Sequence, residues 1–246
     1  MGTADTGGKA PIGTRLPQLE STRLYRRIAD LLETRIEQGL FPVGTFLPAE
    51  RELAEQLGVS RTSVREALIA LEVNGRVVIR QGHGVQVLAT AQSVEDTTPP
   101  DVDIGPIQVL EARRLIEPRI AELAATNHGP QNLENMRAAM ALQGSASTWT
   151  ADAYREGDRR FHVEIARASG NAAFEVLVAK LWEYRTKPLF ERFENLLVGS
   201  DRIGRTVTEH EAIYDAIASG NSAEAGKAMR GHVEAVLSSF VKGTPG

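Results

Sequence analysis

Residues 47–71 have the sequence LPAERELAEQLGVSRTSVREALIAL, which decides the fold of the amino-terminal part of the chain. The stretch predicts two short helices joined by a tight turn, because Gly58 can end the first helix and the Ser60 hydroxyl can cap the second. Apolar residues of the second helix recur at steps of three and four and should face inward: Val64, Ala67, Leu68 and Leu71. This pattern indicates a helix-turn-helix unit.

Three arginines in this unit are candidates for contacts with DNA. Arg61 and Arg65 lie one turn apart on the flank of the apolar stripe, and Arg51 lies in the first turn of the preceding helix. Such a helix fits a DNA major groove and can direct guanidinium groups at base edges or phosphates. Residues 19–88 contain nine arginines and nine acidic residues, so DNA binding must depend on where the arginines are placed and not on net charge.

A small β-hairpin is predicted directly after the two helices. Two β-prone runs, residues 77–80 and 85–88, flank a glycine-rich tip at residues 81–84. Gly82 and Gly84 allow close approach of the backbone to a sugar-phosphate edge, so His83 can reach a minor groove. The alternative is a helix-turn-helix shape with solvated arginines and no DNA function, but the combination of helices, arginines and wing favours DNA binding.

Composition limits the other possibilities. The chain has 246 residues, of which 42% are apolar, enough for cores in two modest domains. No segment approaches the roughly 20 apolar residues of a membrane span, and the opening residues lack the apolar core of a secretory signal. We therefore expect a soluble, cytoplasmic protein with no membrane partner. Because the chain has no cysteine, any bound metal must rely on histidine and carboxylate.

Four regions are predicted along the chain, which is mainly α. Residues 1–18 form a disordered tail, residues 19–88 form the winged helix-turn-helix domain with its small β-wing, and residues 89–105 form a linker. Residues 106–241 have helical patterns throughout and predict an all-α bundle of about six helices. Pro188 should kink or split the fourth of these helices, predicted over residues 171–197.

Polar residues interrupt the apolar stripes of three helices in this bundle. Asp158 falls in a stripe with Tyr154 and Phe161, and His162 follows one turn later. Burying an ionised carboxylate without a partner costs several kcal/mol, so these groups need compensation. A divalent metal of the Zn, Ni or Mn class would satisfy the whole set, which is Asp158, His162, His210 and His232. The alternative is that each histidine bonds a backbone carbonyl or a neighbouring acid.

Residues 21–88 resemble the winged-helix domain of GntR-type bacterial transcription regulators. The motif of that family runs like LPSERELAxxLGVSRTxVREALxxLExxGLVxxxxGxGxxV, and this chain has LPAERELAEQLGVSRTSVREALIALEVNGRVVIRQGHGVQV. The resemblance implies DNA contacts from both helices and from the wing tip: Arg51, Arg61, Thr62, Arg65, Gly82, His83 and Gly84. Arg76 departs from the apolar residue that the family commonly carries there, so we expect it to touch phosphate or to be exposed.

Residues 106–241 resemble the all-helical FCD effector domain of the FadR-like branch of the same family. Many members bind a metal through a D-x3-H pair and two later histidines, matched here by DRRFH at residues 158–162 and by His210 and His232. By this analogy Arg113 pairs with an effector carboxylate and Asn171 lines the pocket. The alternatives are a plain surface pair with Glu117 for Arg113 and helix N-capping for Asn171.

The resemblance implies a ligand-responsive, DNA-binding transcriptional regulator, with repression as the expected mode. It would bind a palindromic double-stranded DNA operator as a homodimer and sense a small carboxylate effector through a metal-containing pocket. One alternative is a metal-dependent hydrolase or lyase with an appended DNA-binding domain, although no further histidine or acid is expected in the stripes to serve as a general acid or base. Another is a metal-free regulator with a larger apolar effector.

Overall fold

A computed structural model describes residues 24–80, 82–88, 104–148, 150–197 and 202–242. The predicted tail over residues 1–18 and residues 89–103 of the predicted linker lie outside this part of the chain. Within it, every helix is too short or too polar to cross a membrane.

The amino-terminal residues of this structure form a winged helix-turn-helix unit, as the motif predicts. Its elements are α1 (Leu24–Glu37), α2 (Glu50–Leu57), α3 (Arg61–Val73), β1 (Val77–Arg80) and β2 (Gly84–Val87). Gly58 ends α2 in the left-handed conformation with φ of 65°, and the Ser60 side chain accepts a hydrogen bond from the backbone N–H of Ser63. The two strands pair antiparallel, with Val77 opposite Val87. Residues of α1 to α3 and both strands enclose one apolar core.

The remaining described residues form an all-α bundle. Its helices are α4 (Pro106–Asn127), α5 (Pro130–Gly144), α6 (Asp152–Ala168), α7 (Ala172–Glu183), α8 (Pro188–Leu197), α9 (Arg202–Ala218) and α10 (Ser222–Lys242). These are seven helices within the described ranges and not six, because the fourth predicted helix is split. Pro188 favours an extended conformation for the residue before it, and Lys187 has φ of −78° and ψ of 142°. A single 3₁₀ turn at Tyr184–Thr186 fills the gap.

Helix α3, the second helix of the helix-turn-helix unit, packs against the bundle. Ile69 of α3 is fully buried in a cluster with apolar side chains of four bundle helices, which are Val109, Leu110, Leu181, Phe190, Phe193, Val236 and Phe240. A polar contact accompanies this packing, because both Arg192 guanidinium nitrogens facing α3 donate to the Glu72 carboxylate, at 2.7 and 2.8 Å. The DNA-binding unit and the bundle therefore share a continuous interface in the described residues.

Candidate metal centre and nucleic-acid interface

Three helices bring one aspartate and three histidines together in the bundle core. Asp158 and His162 come from α6, His210 from α9 and His232 from α10, and all four are buried. One potential ligand atom of each residue lies within 4.8 Å of those of the others. Asp158 Oδ1 lies 3.6 Å from His162 Nε2 and 3.5 Å from His210 Nε2. The structure thus brings together all four candidate ligands that the helical stripes predict.

Two glutamates contact the Nδ1 atoms of two of these histidines. His162 Nδ1 lies 2.7 Å from Glu117 Oε2, and His232 Nδ1 lies 2.7 Å from Glu209 Oε2. Because an ionised carboxylate can only accept a hydrogen bond, Nδ1 of each histidine is the donor to its glutamate, and in a neutral imidazole that arrangement leaves the lone pair on Nε2. Carboxylates in this position orient histidine ligands and raise their basicity in metal sites.

Some polar atoms at the centre of the cluster make no hydrogen bond with the described residues. These atoms are Asp158 Oδ1 and both ring nitrogens of His210, and all of them are buried. Burial lowers the pKa of His210 well below its usual value, which keeps the imidazole neutral and able to act as a ligand. Burying such atoms unpaired is costly, and a cation bound to them would remove the cost. A neutral histidine set with one carboxylate is a donor set that suits a divalent transition metal.

Arg185 secures the remaining oxygen of Asp158. Its Nη1 donates to Asp158 Oδ2 at 2.6 Å, and its Nη2 donates to Glu194 of α8. Burial alone would raise the pKa of Asp158, but the Arg185 charge and the nearby histidines hold it well below its usual range. Asp158 is therefore ionised, with Oδ2 committed to Arg185 and Oδ1 facing the histidines.

Arg113 lies beside the cluster but already has a carboxylate partner. It donates from Nε to Glu117 Oε1 at 2.7 Å, and its Nη2 lies 3.5 Å from both ring nitrogens of His162. Arg113 and Glu117 do form the ion pair that was one of the sequence-based alternatives. The pair is buried and not on the surface, because the two side chains are only 2% and 3% exposed. The guanidinium groups of Arg113 and Arg185 stack on the Trp182 ring, 4.3 and 4.4 Å from its centroid.

Asn171 is not part of this cluster. Its side chain is exposed and caps α7 by accepting a hydrogen bond from the backbone N–H of Ala173 at 3.0 Å. The capping interpretation of Asn171 is therefore the one that the geometry favours.

Several polar neighbours of the cluster were not predicted from the sequence, because they lie outside the three apolar stripes that hold the four candidate ligands. Glu117 could have been found, because it lies in the buried stripe of α4 with Leu110, Arg113 and Ile120. Glu209 and Glu194 have no comparable signal, since only the packing of other helices brings them to His232 and Arg185. Trp182 lies near the end of α7, and Arg185 lies in the 3₁₀ turn that comes after this helix and before Pro188. The position of Arg185 could not be predicted without knowing that turn.

The predicted DNA contacts lie along α2, α3 and the wing. Arg51 and Arg61 are exposed, and Thr62 is half-buried. Arg65 is only 15% exposed and donates from Nε and Nη2 to the Glu50 carboxylate of α2, at 3.0 and 2.7 Å. Arg65 therefore joins the two helices of the motif in the absence of DNA.

The wing tip has the backbone geometry that its glycines predict. Gly82 and Gly84 have φ of 74° and 97°, which only glycine adopts easily, and His83 between them is exposed. Arg76 is neither exposed nor placed to contact phosphate, because it pairs with Glu33 and Glu37 of α1 and is 16% exposed.

Comparison with known proteins assigns both halves of the chain. Residues 24–87 match the bacterial regulatory proteins of the gntR family, and residues 108–235 match the FCD domain. The Uxu operon regulator of Haemophilus influenzae is 35% identical over 87% of this chain and 80% of its own length. The Exu regulon transcriptional regulator of Escherichia coli (strain K12) is 36% identical over 87% of this chain and 83% of its own length.

A third relative from Escherichia coli (strain K12), a regulatory protein named for an L-lactate dehydrogenase operon, is 30% identical over 87% of this chain and 85% of its own length. These relatives are named as regulators, so the alternative of a hydrolase or lyase finds no support among them. The chain therefore belongs to the gntR family of bacterial regulatory proteins, as a DNA-binding transcriptional regulator with an FCD effector domain.

Proposed function

We propose that this regulator responds to a small hydroxycarboxylate that binds at a divalent metal ion in the FCD domain. The observation that carries the proposal is the group of buried, unpartnered ligand atoms at Asp158 and His210, surrounded by two further histidines. A metal-free pocket for a large apolar effector would not explain why these polar atoms converge. The metal would be of the Zn, Ni or Mn class.

Each residue of the site has a separate role in this proposal. Asp158, His162, His210 and His232 hold the ion, while Glu117 and Glu209 keep two of the histidines in the required tautomer. A bound divalent cation supplies positive charge and exchangeable coordination positions that an anionic oxygen ligand can occupy. Arg113 is the buried cation beside the site and would hold the other end of the effector. The indole N–H of Trp182 is buried, has no acceptor among the described residues, and offers a second hydrogen bond.

The name of one relative agrees with this class of effector. That relative is named for the operon of an L-lactate dehydrogenase, an enzyme whose named substrate carries a carboxylate and a hydroxyl on adjacent carbons. Two adjacent oxygen donors suit a metal ion with open positions, and the carboxylate suits an arginine. L-lactate and related hydroxy acids are therefore the first effectors to test.

The DNA-binding residues follow from the winged helix-turn-helix geometry. We propose that α3 enters the major groove with Arg61 and Thr62 at its exposed start, that Arg51 contacts phosphate, and that the wing tip reaches the minor groove. Arg65 can reach DNA only by exchanging its Glu50 partner for phosphate or base. Because a bacterial regulator must reach the DNA that it binds, the proposed location of the protein is the cytoplasm.

A homodimer would present two such heads to a palindromic operator with half-sites about 10 bp apart. The FCD domain, over residues 106–241, would supply the dimer contact, and residues 19–88 would form each head. Large apolar side chains are exposed on two adjacent helices of that domain: Leu115 on α4 is 70% exposed, and Val176 and Leu177 on α7 are 70% and 43% exposed. A second copy of the chain covering this surface would remove that exposure.

Metal analysis tests the centre of the proposal. Purified protein should bind about one equivalent of Zn²⁺ or Ni²⁺ by titration calorimetry, and His210→Ala should lose this binding because it removes a central ligand. His128→Ala is the matched control, since His128 lies in the same domain but bonds the Ala124 carbonyl at the end of α4. Equal metal binding by both variants would refute the assignment of the site.

Effector binding needs its own measurement. Metal-loaded protein should gain thermal stability with L-lactate or a related hydroxy acid, and its affinity for operator DNA should change in a gel-shift assay. The metal-stripped protein should show neither response. Identical DNA affinity under all of these conditions would contradict the proposed sensing function.

A further inference from the structure

One arginine connects the candidate metal centre to helix α8. Arg185 lies on the 3₁₀ turn immediately before α8 and bonds Asp158 on one side and Glu194 of α8 on the other. Asp158 and Glu194 are only 3% and 6% exposed, and Arg185 is 12% exposed. Buried charges are costly to leave unpaired, so these three groups must move together or exchange partners together.

A second arginine connects α8 to the DNA-recognition helix. Arg192 of α8 donates two hydrogen bonds to the carboxylate of Glu72, near the end of α3. The same carboxylate accepts the backbone N–H of Ile79, in strand β1 of the wing, at 2.8 Å. Glu72 therefore joins α8, the recognition helix and the wing at one point.

Apolar packing makes α8 a stiff connection between these two arginines. Phe190 and Phe193 of α8 are buried against Ile69 of α3 and Phe240 of α10, and Leu189 also packs against the core of the DNA-binding head. Close-packed interfaces of this kind shift as units and do not deform gradually. A displacement of α8 would therefore be passed to α3.

We propose that α8 is the coupling element of this regulator, with Arg185 sensing the metal centre and Arg192 holding the recognition helix and wing. The inference rests on the proposed metal and effector site. Asp158 offers one oxygen to that site and the other to Arg185, so a ligand that draws on Asp158 changes the hold of Arg185 on α8. Coupling of this kind requires an element whose position both sites bias, and α8 has direct contacts with both.

The variant Arg192→Met tests the connection without touching the metal centre. It removes the bonds to Glu72 but keeps an aliphatic side chain and leaves Glu72 bonded to Ile79. DNA affinity would be measured by fluorescence anisotropy, for chelator-stripped and Zn²⁺-loaded protein, on an operator selected by the wild type from random DNA. In the wild type, Zn²⁺ should change the affinity at least about fivefold. In Arg192→Met the change should fall to within about twofold of none, with Zn²⁺ affinity unchanged in the absence of DNA.

The control is Arg76→Met. Arg76 also pairs with glutamate, but its partners Glu33 and Glu37 both lie within the head. It should keep the wild-type ratio of stripped to loaded affinities. Hydrogen exchange at the Ile79 amide gives a local readout that does not depend on DNA: Zn²⁺ should change its rate in the wild type and not in Arg192→Met.

The outcomes separate the two proposals. If Zn²⁺ changes DNA affinity equally in the wild type and in Arg192→Met, the role of α8 is refuted and the sensing function stands. If Zn²⁺ binds but changes neither DNA affinity nor Ile79 exchange in the wild type, the coupling is refuted. If Zn²⁺ does not bind at all, the metal site itself is refuted, and with it the input that α8 would transmit.

Discussion

The two oxygens of Asp158 have different electrostatic surroundings. Oδ2 faces a guanidinium group, while Oδ1 faces two imidazole nitrogens and makes no hydrogen bond within the described part of the chain. The arginine ensures that the carboxylate stays ionised despite complete burial, so the residue remains ready to bind a cation at neutral pH. A longer glutamate side chain in its place would have to give up one of these two positions.

Glu209 offers a test of how the histidines are oriented. In Glu209→Gln, the side-chain amide can donate to His232 Nδ1 as well as accept from it, so the tautomer that leaves Nε2 free is no longer enforced. We expect Zn²⁺ affinity to fall about 10- to 100-fold, measured by competition with a chelating dye. The free energy of unfolding of the metal-free protein should change little.

The matched control is Glu164→Gln. Glu164 is a buried acid on α6, but its partners are Asn132 and Arg167 and not a histidine. Its substitution should leave Zn²⁺ affinity unchanged. An equal loss in both variants would mean that the effect is general damage to the bundle.

At the scale of the helices, the spacing of apolar residues predicted more of the site than the chemical type of single side chains did. The stripes of α6, α9 and α10 are buried as expected, and the four polar residues in them do meet, because a helix carries every residue of a stripe to the same side. What periodicity could not predict is which side chains of other helices complete the site. Arg185 reaches Asp158 from the 3₁₀ turn that separates α7 from α8, just before Pro188. The sequence predicts a break of the helix near Pro188, but it does not predict in which direction the chain turns there.

The contact between α3 and α4 contains a carboxyl group with an unusual pKa. Burial raises the pKa of Glu66 to about 7, even though its Oε1 accepts the backbone N–H of Ile107, and Glu111 adds to the rise. Glu66 is only 7% exposed and lies where the start of α4 meets the recognition helix. This interface should therefore depend on pH in the physiological range.

The sign of that dependence follows from the direction of the shift. A carboxyl group whose pKa is raised on folding stabilises the fold fully below its unfolded value, here 4.5, and loses that contribution as pH rises through about 7. The loss for one such group is up to about 3 kcal/mol. Urea unfolding of the wild type should show it as a fall in the free energy of unfolding between about pH 5 and pH 8.

Glu66→Gln should remove most of this slope, since the amide is neutral and can still accept from Ile107. Above neutral pH the variant should therefore be more stable than the wild type. A slope that persists in the variant would show that other groups cause the pH dependence.

At the scale of the whole molecule, the proposed homodimer would place two recognition helices at a fixed separation to read a palindrome, so the dimer contact would matter as much as the head itself. Domain order and the DNA motif were predictable because each depends on local sequence. The proposed dimer surface was not predictable, since Leu115 and Val176 fit their helices equally well whether a partner covers them or not.

Val176→Asp tests that surface. Burying an aspartate at the proposed contact would leave a charge without a partner, so the dimer dissociation constant should rise at least about 10-fold in sedimentation experiments. Affinity for a palindromic operator should fall with it. Val43→Asp is the control, because Val43 is a valine 58% exposed between α1 and α2, in the head and outside the proposed contact. A fully dimeric Val176→Asp protein would move the contact elsewhere.

The stacking of Arg113 and Arg185 on Trp182 has a practical consequence. Indole fluorescence is sensitive to adjacent cations and imidazoles, and Trp182 lies 4.3 and 4.4 Å from the two guanidinium groups and 4.9 Å from the His162 ring. The chain has one other tryptophan, Trp149, so a Trp149→Phe variant would keep Trp182 as its single indole. The emission of the remaining indole would then report occupancy of the pocket in real time, without a dye or label.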